Sequence, residues 1–592
     1  MLASADMLFE VSWEVCNKVG GIHTVLTSKI NPTLDAYGRE KYMLIGPYTL
    51  NSRSEFEEKS APTALRTIFE DLRKEGIQCR YGIWLAGKYP HVVLIDFSKR
   101  FDGKDGLKSW LWEQFGIDSL NSPYDFDEPM VWSHAVGRFI ERYMQDQQGK
   151  RSVAHFHEWM CAGGLLYLKR QAPHIGTVFT THATMLGRTL SSANTDIISG
   201  ELDPEKAAYK NGMHSKFHAE RACAHNADIF TTVSEITGQE TKKLLGKEPD
   251  MILSNGLDIQ HFPTFEEASV RHRLFRDKIR EFLMAYFFPY YTFDLKESLT
   301  FFSFGRPEYH VKGIDMYIDA LAALNKRLQP NDKTVIAFIF VPGDISNIKQ
   351  EIIENLTSMA DIKEELSDNF REIKLNMLSS ILSEAPLRKQ AILPPRVEQL
   401  IEKRRRKMQR IYKKPPICTH DLHNEETDQI MLHLKRVGLT NERHKKVKVI
   451  YYPRFLTGAD GLLNTDYFET ISGGHLGVFP SFYEPFGYTP LECSAMGVPS
   501  ITTDMAGFGQ YINTLDLRDE NAGIFVVDRA GNSYEHATEK ITQYMHWYTQ
   551  LIRPQRIENK IHAKEIADRL DWKYMIINYI RAQNEAMQRA QK

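Results

Sequence analysis

Residues 479–503 read FPSFYEPFGYTPLECSAMGVPSITT. An apolar run ends at Pro480, a loop holds Glu484 and Gly487, a helix opens near Thr489 and Pro490, and Gly497 closes it ahead of the next apolar run. Proline inside a first helical turn and glycine just past a last one suit their backbone preferences. The stretch reads as strand, loop, helix and strand, the repeating unit of a parallel sheet.

The same unit recurs on both sides. Short runs rich in Val, Ile, Phe and Thr stand at 299–304, 334–341, 447–452, 476–480, 500–503 and 523–527. An earlier series occupies 7–13, 42–46, 92–96, 153–157, 177–181, 229–234 and 251–254. Nearly all-apolar runs of this length are strands covered on both faces. The pattern predicts an α/β protein with two facing domains, residues 1–290 and 291–555, each built on a doubly wound parallel sheet. Helices in 556–592 are expected to pack back toward the first domain. Ligands of such sheets bind beyond the carboxyl ends of the strands, so chemistry is expected in the cleft between them.

The second series is interrupted at 345–440. There Ile345, Ile348, Ile352, Leu356, Met359, Ile362, Leu366, Phe370, Ile373 and Met377 recur every three or four residues. A seam sustained that long predicts a coiled coil or long helical hairpin that mediates oligomerisation; the competing reading is a helix packed on its own domain. Nine basic residues in 396–414 are read as a solvated helix face, because Glu398 and Glu402 interrupt them.

At 592 residues the chain exceeds a single core, and 42% apolar with 25% charged residues excludes a disordered polymer. Its net charge of −2 offers no global field for nucleic acid or an anionic membrane. Six scattered cysteines without a C-x-x-C pair argue against a zinc knuckle or a disulfide frame. No apolar run approaches the roughly 20 residues of a membrane helix. A cytoplasmic protein with no metal or cofactor is expected.

Three stretches carry chemistry. In the first, Glu484 and Glu492 share a turn with the backbone amides of Gly487, Tyr488 and Thr489, helix-start donors suited to a phosphate or a sugar hydroxyl. In the second, 304–315 reads FGRPEYHVKGID, where Arg306 and Lys312 can neutralise a departing diphosphate. In the third, 10–25 reads EVSWEVCNKVGGIHTV, and Gly20 and Gly21 with Lys18 beside them allow an anion close to a helix start. The loop lacks the G-x-G-x-x-G spacing of a dinucleotide site, and no P-loop follows anywhere.

Residues 479–503 and 304–315 resemble the signatures of retaining nucleotide-sugar glycosyltransferases with two Rossmann-like domains, the GT-B type. With HFHEWMCAGG at 155–164 and TTHATMLGR at 180–188, the order of blocks resembles the eukaryotic-type, UDP-glucose-dependent glycogen synthases over most of the chain. The resemblance implies a retaining, metal-independent transfer of glucose from UDP-glucose to the 4-hydroxyl end of an α-1,4-glucan. It implies Glu484, Arg306, Lys312 and His182 as catalytic residues. Glu492 would bind the ribose, Tyr467 would stack on the uracil, and Arg188 would face the diphosphate, with His157 and Glu158 nearby. It further implies a tetramer assembled through the insert and a glycogenin-like primer protein as a candidate partner. Regulated family members carry a dense arginine run before the motif that here reads Leu570-Asp571-Trp572. In this chain the run is thinner, so Arg556, Lys560 and Lys564 are read as a solvated face or a weakened anion site. With little chain beyond either end, simpler control is expected. A starch-, sucrose- or trehalose-forming transferase and a non-catalytic glucan scaffold remain the alternative readings.

Overall fold

A computed structural model describes residues 2–592 apart from 148, 194, 196, 198, 199, 385, 411 and 516–521. The first lobe holds β1 (Met7–Val11), β2 (Tyr42–Pro47), β3 (Phe56–Glu58), β4 (Gln78–Trp84), β5 (His91–Asp96), β6 (Ser152–His157), β7 (Gly176–Thr181), β8 (Ile229–Thr232) and β9 (Met251–Ile252). They form one sheet in the order β3-β4-β5-β2-β1-β6-β7-β8-β9. All seven anticipated strands are present. Two more, β3 and β4, run antiparallel at one edge, so the sheet is mixed rather than wholly parallel. The five central strands β1, β2, β6, β7 and β8 are buried throughout, which accounts for their continuous apolar runs.

The second lobe contains β10 (Ser298–Phe304) and β11 (Thr334–Phe340). A small antiparallel pair, β12 (Ile345–Ile348) and β13 (His420–Leu422), closes the base of the insert. Then follow β14 (Val447–Tyr451), β15 (Leu476–Val478), β16 (Ser500–Thr503) and β17 (Ile524–Val527). The six long-range partners form a parallel sheet in the order β14-β11-β10-β15-β16-β17.

The expected boundaries at 290 and 556 both shift. The helix Phe265–Phe287 buries Ile279, Phe282, Leu283 and Tyr286 against Phe302, Ile336 and Phe338 of the second sheet, so it belongs to that lobe. The helix Arg553–Arg569 also stays there, packed on the helix Tyr488–Ala495. Only Trp572–Ala590 returns, burying Trp572, Ile576, Tyr579 and Ile580 with Leu8, Leu26 and Val178.

The insert is a hairpin of helices, Gln350–Asp368 continuing after Asn369 into Phe370–Leu382, and Pro395–Met408 returning. The heptad-like seam divides. Ile345 and Ile348 lie on β12, and Ile352 is buried on its own domain. Farther out, Phe370, Leu375, Leu378, Ile381 and Leu382 are exposed, Leu382 by 84%. Four of the nine basic residues of 396–414 form ion pairs among the described residues, Arg404 with Asp361, Arg405 with Glu402, Arg410 with Glu354 and Lys414 with Glu442.

Candidate active site

The carboxyl ends of β10 and β15 open onto a cleft of about 460 Å³ in the second lobe. Arg306, Lys312, Tyr467, Glu484, Gly487, Tyr488 and Thr489 all line it, as the sequence implied. Gly487, at φ 101°, caps the helix Tyr488–Ala495. The amides of Gly487, Tyr488 and Thr489 meet no acceptor among the described residues, leaving three donors and the positive end of the helix turned to the cleft.

The Lys312 ammonium is bonded to the Glu484 carboxylate, both partly buried. Two backbone bonds fix the Glu484 loop against the segment that follows β16: its N–H donates to Met505 O at 3.1 Å, and its carbonyl accepts from Gly507 N at the same distance. Arg306 is more open and rests 3.2 Å from Glu308. The Tyr467 hydroxyl donates to Glu492 Oε2 at 2.6 Å, while its ring stands edge-on to Phe304 at 4.9 Å. Burial pushes the Glu492 carboxyl upward, and the tyrosine bond offsets part of that.

Phe340, Arg454, Phe455 and Leu456 also line the cleft and were not anticipated. Arg454 and Phe455 follow β14 closely, so position just beyond a predicted strand end was the available signal. The cleft thus combines aromatic rings, three cations and a helix terminus.

The first lobe contributes the ends of β1, β6 and β7. Parallel register sets Glu10 beside His155 and His157 beside Thr180. His182, just past β7, is joined through its Nε2 to His157 Nδ1 at 3.0 Å, and His157 Nε2 to Glu10 Oε1 at 2.9 Å. His157 is fully buried, so it supports His182 from beneath rather than contacting a ligand, contrary to expectation. Glu10, His155 and His157 are close enough to hold a metal, yet the Lys29 ammonium already occupies Glu10 and both imidazoles are bonded.

Glu158 is likewise buried, with φ 69°, and accepts from the amides of His182 at 3.0 Å and Ala183 at 3.3 Å. It orients the His182 turn rather than facing open solvent. Arg188 lies 3.8 Å from it, and Glu220 and Glu240 are buried close by. Burial pushes the Glu158 carboxyl up to about 7, against the pull of Arg188 and the two amides. A carboxyl raised on folding binds its proton more readily in the native state, so stability falls as pH climbs from 4.5 through about 7. Glu158→Gln is expected to raise Tm more on the alkaline side of 7 than near 4.5. Equal shifts at both, followed by calorimetry, would overturn the assignment.

The anion site expected at Gly20 and Gly21 is filled from within. Glu14 Oε2 accepts from Gly20 N at 2.8 Å and His23 N at 2.9 Å, capping the helix Gly21–Tyr37 with the chain's own carboxylate. Lys18 is exposed beside it. None of the three lines the cleft of the second lobe.

The lobes touch directly. Ala183 packs with Val311, Phe482 and Tyr483, bringing the residue after His182 against the one before Lys312. Ile236 N donates to Gln510 Oε1 at 2.9 Å across the same junction.

A second cavity, about 710 Å³, lies at the amino ends of β10, β11 and β15. Arg273, Arg276, Arg280, Lys296, Lys333, Arg553, Arg556 and Lys560 line it, with Glu297 the single acid. Burial and then Arg276 and Arg556 push the Lys560 amine well down, and its Nζ donates to His272 Nδ1 at 2.7 Å. The expected solvated face is thus corrected: Arg556 and Lys560 point inward, where the helix Phe265–Phe287 supplies the missing arginines. Lys564 turns away and donates to Ala495 O at 3.0 Å.

A sequence model described as Glycogen synthase matches residues 10–592. The glycogen [starch] synthase of Neurospora crassa is 36% identical over 597 residues, covering 99% of this chain and 84% of that protein. The chain belongs to the glycogen synthase family. A mouse family member, glycogen [starch] synthase, liver, is 35% identical, again over 99% of this chain and 84% of its own. Among solved structures, the catalytic domain of starch synthase IV from Arabidopsis thaliana superposes with a TM-score of 0.50 at 12% identity, covering 99% of this chain and 100% of that one. That likeness is one of fold, the GT-B arrangement shared with the glycogen synthase family. Among the described residues no helix is long and apolar enough to cross a membrane.

Proposed function

We propose that this glycogen synthase family member moves glucose from UDP-glucose to the 4-hydroxyl at the non-reducing end of an α-1,4-glucan, retaining the anomeric configuration. The observation that carries the reading is the Lys312–Glu484 pair at the mouth of a cleft with aromatic rings and free helix amides. The uracil lies on the side of Tyr467, with the ribose hydroxyls at Glu492. The diphosphate takes Lys312, Arg306 and the amides of Gly487, Tyr488 and Thr489. As the anomeric bond breaks, negative charge gathers on phosphate and is met by cations already in position. Glu484, released from Lys312 as the diphosphate takes the ammonium, faces the positive charge developing on the ring. His182 and Arg188 approach from the other lobe, and the glucan end completes the cleft. The cations on the leaving group are side chains, so the scheme draws on no metal.

Release of the nucleoside diphosphate with glycogen as acceptor, UDP from UDP-glucose and ADP from ADP-glucose measured in parallel, tests the reading. Faster release from ADP-glucose, or a soluble sugar replacing glucan, would overturn it. The basic cavity supports an effector site for a sugar phosphate, and the same assay with glucose 6-phosphate added is expected to show a higher rate.

The exposed apolar residues from Phe370 to Leu382 support self-association into a tetramer through the insert. Sedimentation is expected to give a multiple of 68.4 kDa that falls when Leu375 and Leu378 are changed to aspartate. An unchanged mass would remove the insert from the interface. All six cysteines are free, which supports a reducing, cytoplasmic setting.

A further inference from the structure

Beneath His182 lies a chain of hydrogen bonds whose proton positions can be worked out one atom at a time. It begins at Glu10, which is fully buried and receives the Lys29 ammonium and the Tyr42 hydroxyl. Burial opposes its charge, yet the Lys29 ammonium and the His157 bond hold its carboxyl well below the usual range. A carboxylate can only accept, so His157 Nε2, 2.9 Å away, carries the proton between them. Burial keeps the His157 ring neutral, and its Nδ1 is therefore a bare lone pair. That lone pair faces His182 Nε2 at 3.0 Å, which must supply the hydrogen. Burial keeps His182 neutral as well. Its Nδ1, with no partner among the described residues, is left as an acceptor.

A neighbouring chain obeys the same logic and ends inside the protein. The Tyr37 hydroxyl donates to Gln583 Oε1 at 2.8 Å, which turns the Gln583 amide N–H toward His155 Nδ1 at 3.4 Å. His155 Nε2 then donates to Thr180 Oγ1 at 2.7 Å, and Thr180 meets Thr231 at 2.6 Å. The His155 ring lies stacked 4.4 Å from that of His157, preventing the latter from rotating. One imidazole chain is thus consumed by the fold, whereas the other delivers an unused nitrogen at the carboxyl end of β7.

We propose that Glu10, acting through His157, is a positioning residue that fixes His182 as the Nε2–H tautomer, so that Nδ1 accepts a hydrogen bond from a hydroxyl of the transferred sugar. The proposal rests on the reading of the cleft as a nucleotide-sugar site. It makes His182 a specificity-determining group: a sugar that keeps an electronegative atom at that position but loses its O–H is rejected.

Two experiments on the full chain test it. Nitrogen NMR of protein labelled with ¹⁵N-histidine, assigned by the peak lost in His182→Asn, is expected to show His182 with a protonated Nε2 and a bare Nδ1. The reverse pattern would overturn the proposal. This measurement needs neither turnover nor the Glu10 variant, so it stands even if UDP-glucose is not the donor or Glu10→Gln fails to fold. The second compares UDP-glucose with its monodeoxy and monodeoxyfluoro analogues at C3, C4 and C6. At one of these positions both analogues are expected to lose about tenfold or more in kcat/KM, because fluorine cannot donate. In Glu10→Gln the side-chain amide can donate to His157 and reverse the chain, making His182 Nδ1 a donor. There the fluoro analogue is expected to outperform the deoxy one at that position, with the loss for UDP-glucose itself appearing in KM as well as kcat. A folded Glu10→Gln chain that discriminates as the wild type does would overturn the relay. Absence of turnover in the wild type would instead sink the donor assignment and leave the NMR result to decide the tautomer.

Discussion

Lys312→Ala is expected to lower kcat for glucan extension by about 10²–10³-fold, the cost of removing one group aimed at charge that forms in the transition state. Lys312 is only 15% exposed, and it bridges two needs. At rest it neutralises Glu484, which would otherwise be a half-buried lone carboxylate. On the proposed reading it is also the cation that follows the departing diphosphate. Arg306 is more open and has Glu308 to turn to, so it cannot replace the ammonium at the mouth of the cleft. Glu484→Gln is expected to reduce turnover as well, by removing the negative charge that faces the ring, and to leave nucleotide binding stronger because Lys312 is freed. Steady-state kinetics with UDP titrated as a product inhibitor separates the two. Less than a tenfold loss in Lys312→Ala would remove the lysine from the chemistry.

Gly313→Ala is expected to cost as much stability as truncating one of the buried aromatic side chains that line the cleft, such as Phe340 or Phe479. The residue sits at φ +66°, and an added Cβ would stand 2.0 Å from the carbonyl oxygen of Pro480, at the end of the strand that bears the Glu484 loop. Both objects are backbone, so neither can rotate aside. Left-handed strain and forced overpacking each carry roughly 1–3 kcal/mol, giving a loss of about 2–6 kcal/mol. The loop is otherwise tightly held. Lys312 N donates to Glu308 O at 2.9 Å, Gly313 N to His310 O at 2.9 Å, and His310 Nδ1 lies 2.6 Å from Asp315 Oδ2. Relief of the clash must therefore displace Lys312, and activity is expected to fall with the denaturation midpoint. A variant of wild-type stability and rate would show that the loop can move without consequence.

The strands were readable because burial on both faces leaves a run of Val, Ile and Phe that needs no partner to be recognised. β3 and β4 escaped for the converse reason. At the sheet edge Glu57 and Glu58 stay exposed, and Gln78–Trp84 is only half buried, so neither makes a solid apolar block. The insert was legible as a helical hairpin, but the extent of its apolar seam was not. Apolar residues carry on at helical spacing across Asn369 and back into β12, although only part of the run packs against its own lobe. His157 was legible as important but not as hidden: a strand places 155 and 157 on one face, and whether that face ends in a cleft or under another histidine depends on the loop above it. The basic cavity could not be read from its helix at all. Arg276 and Arg553 are 277 positions apart in sequence and converge only when Phe265–Phe287 and Arg553–Arg569 pack on the same sheet.

The return of the last helix to the first lobe has a mechanical consequence. The polypeptide passes between lobes once ahead of Phe265 and again between Leu570 and Trp572, and the two passages are laced side by side, Leu257 N to Leu570 O at 2.9 Å and Trp572 N to Leu257 O at 3.0 Å. Two ropes tied at one point make a pivot: the halves can swing about it but cannot shear past each other. A protease that severed either passage alone would leave the other still joining them.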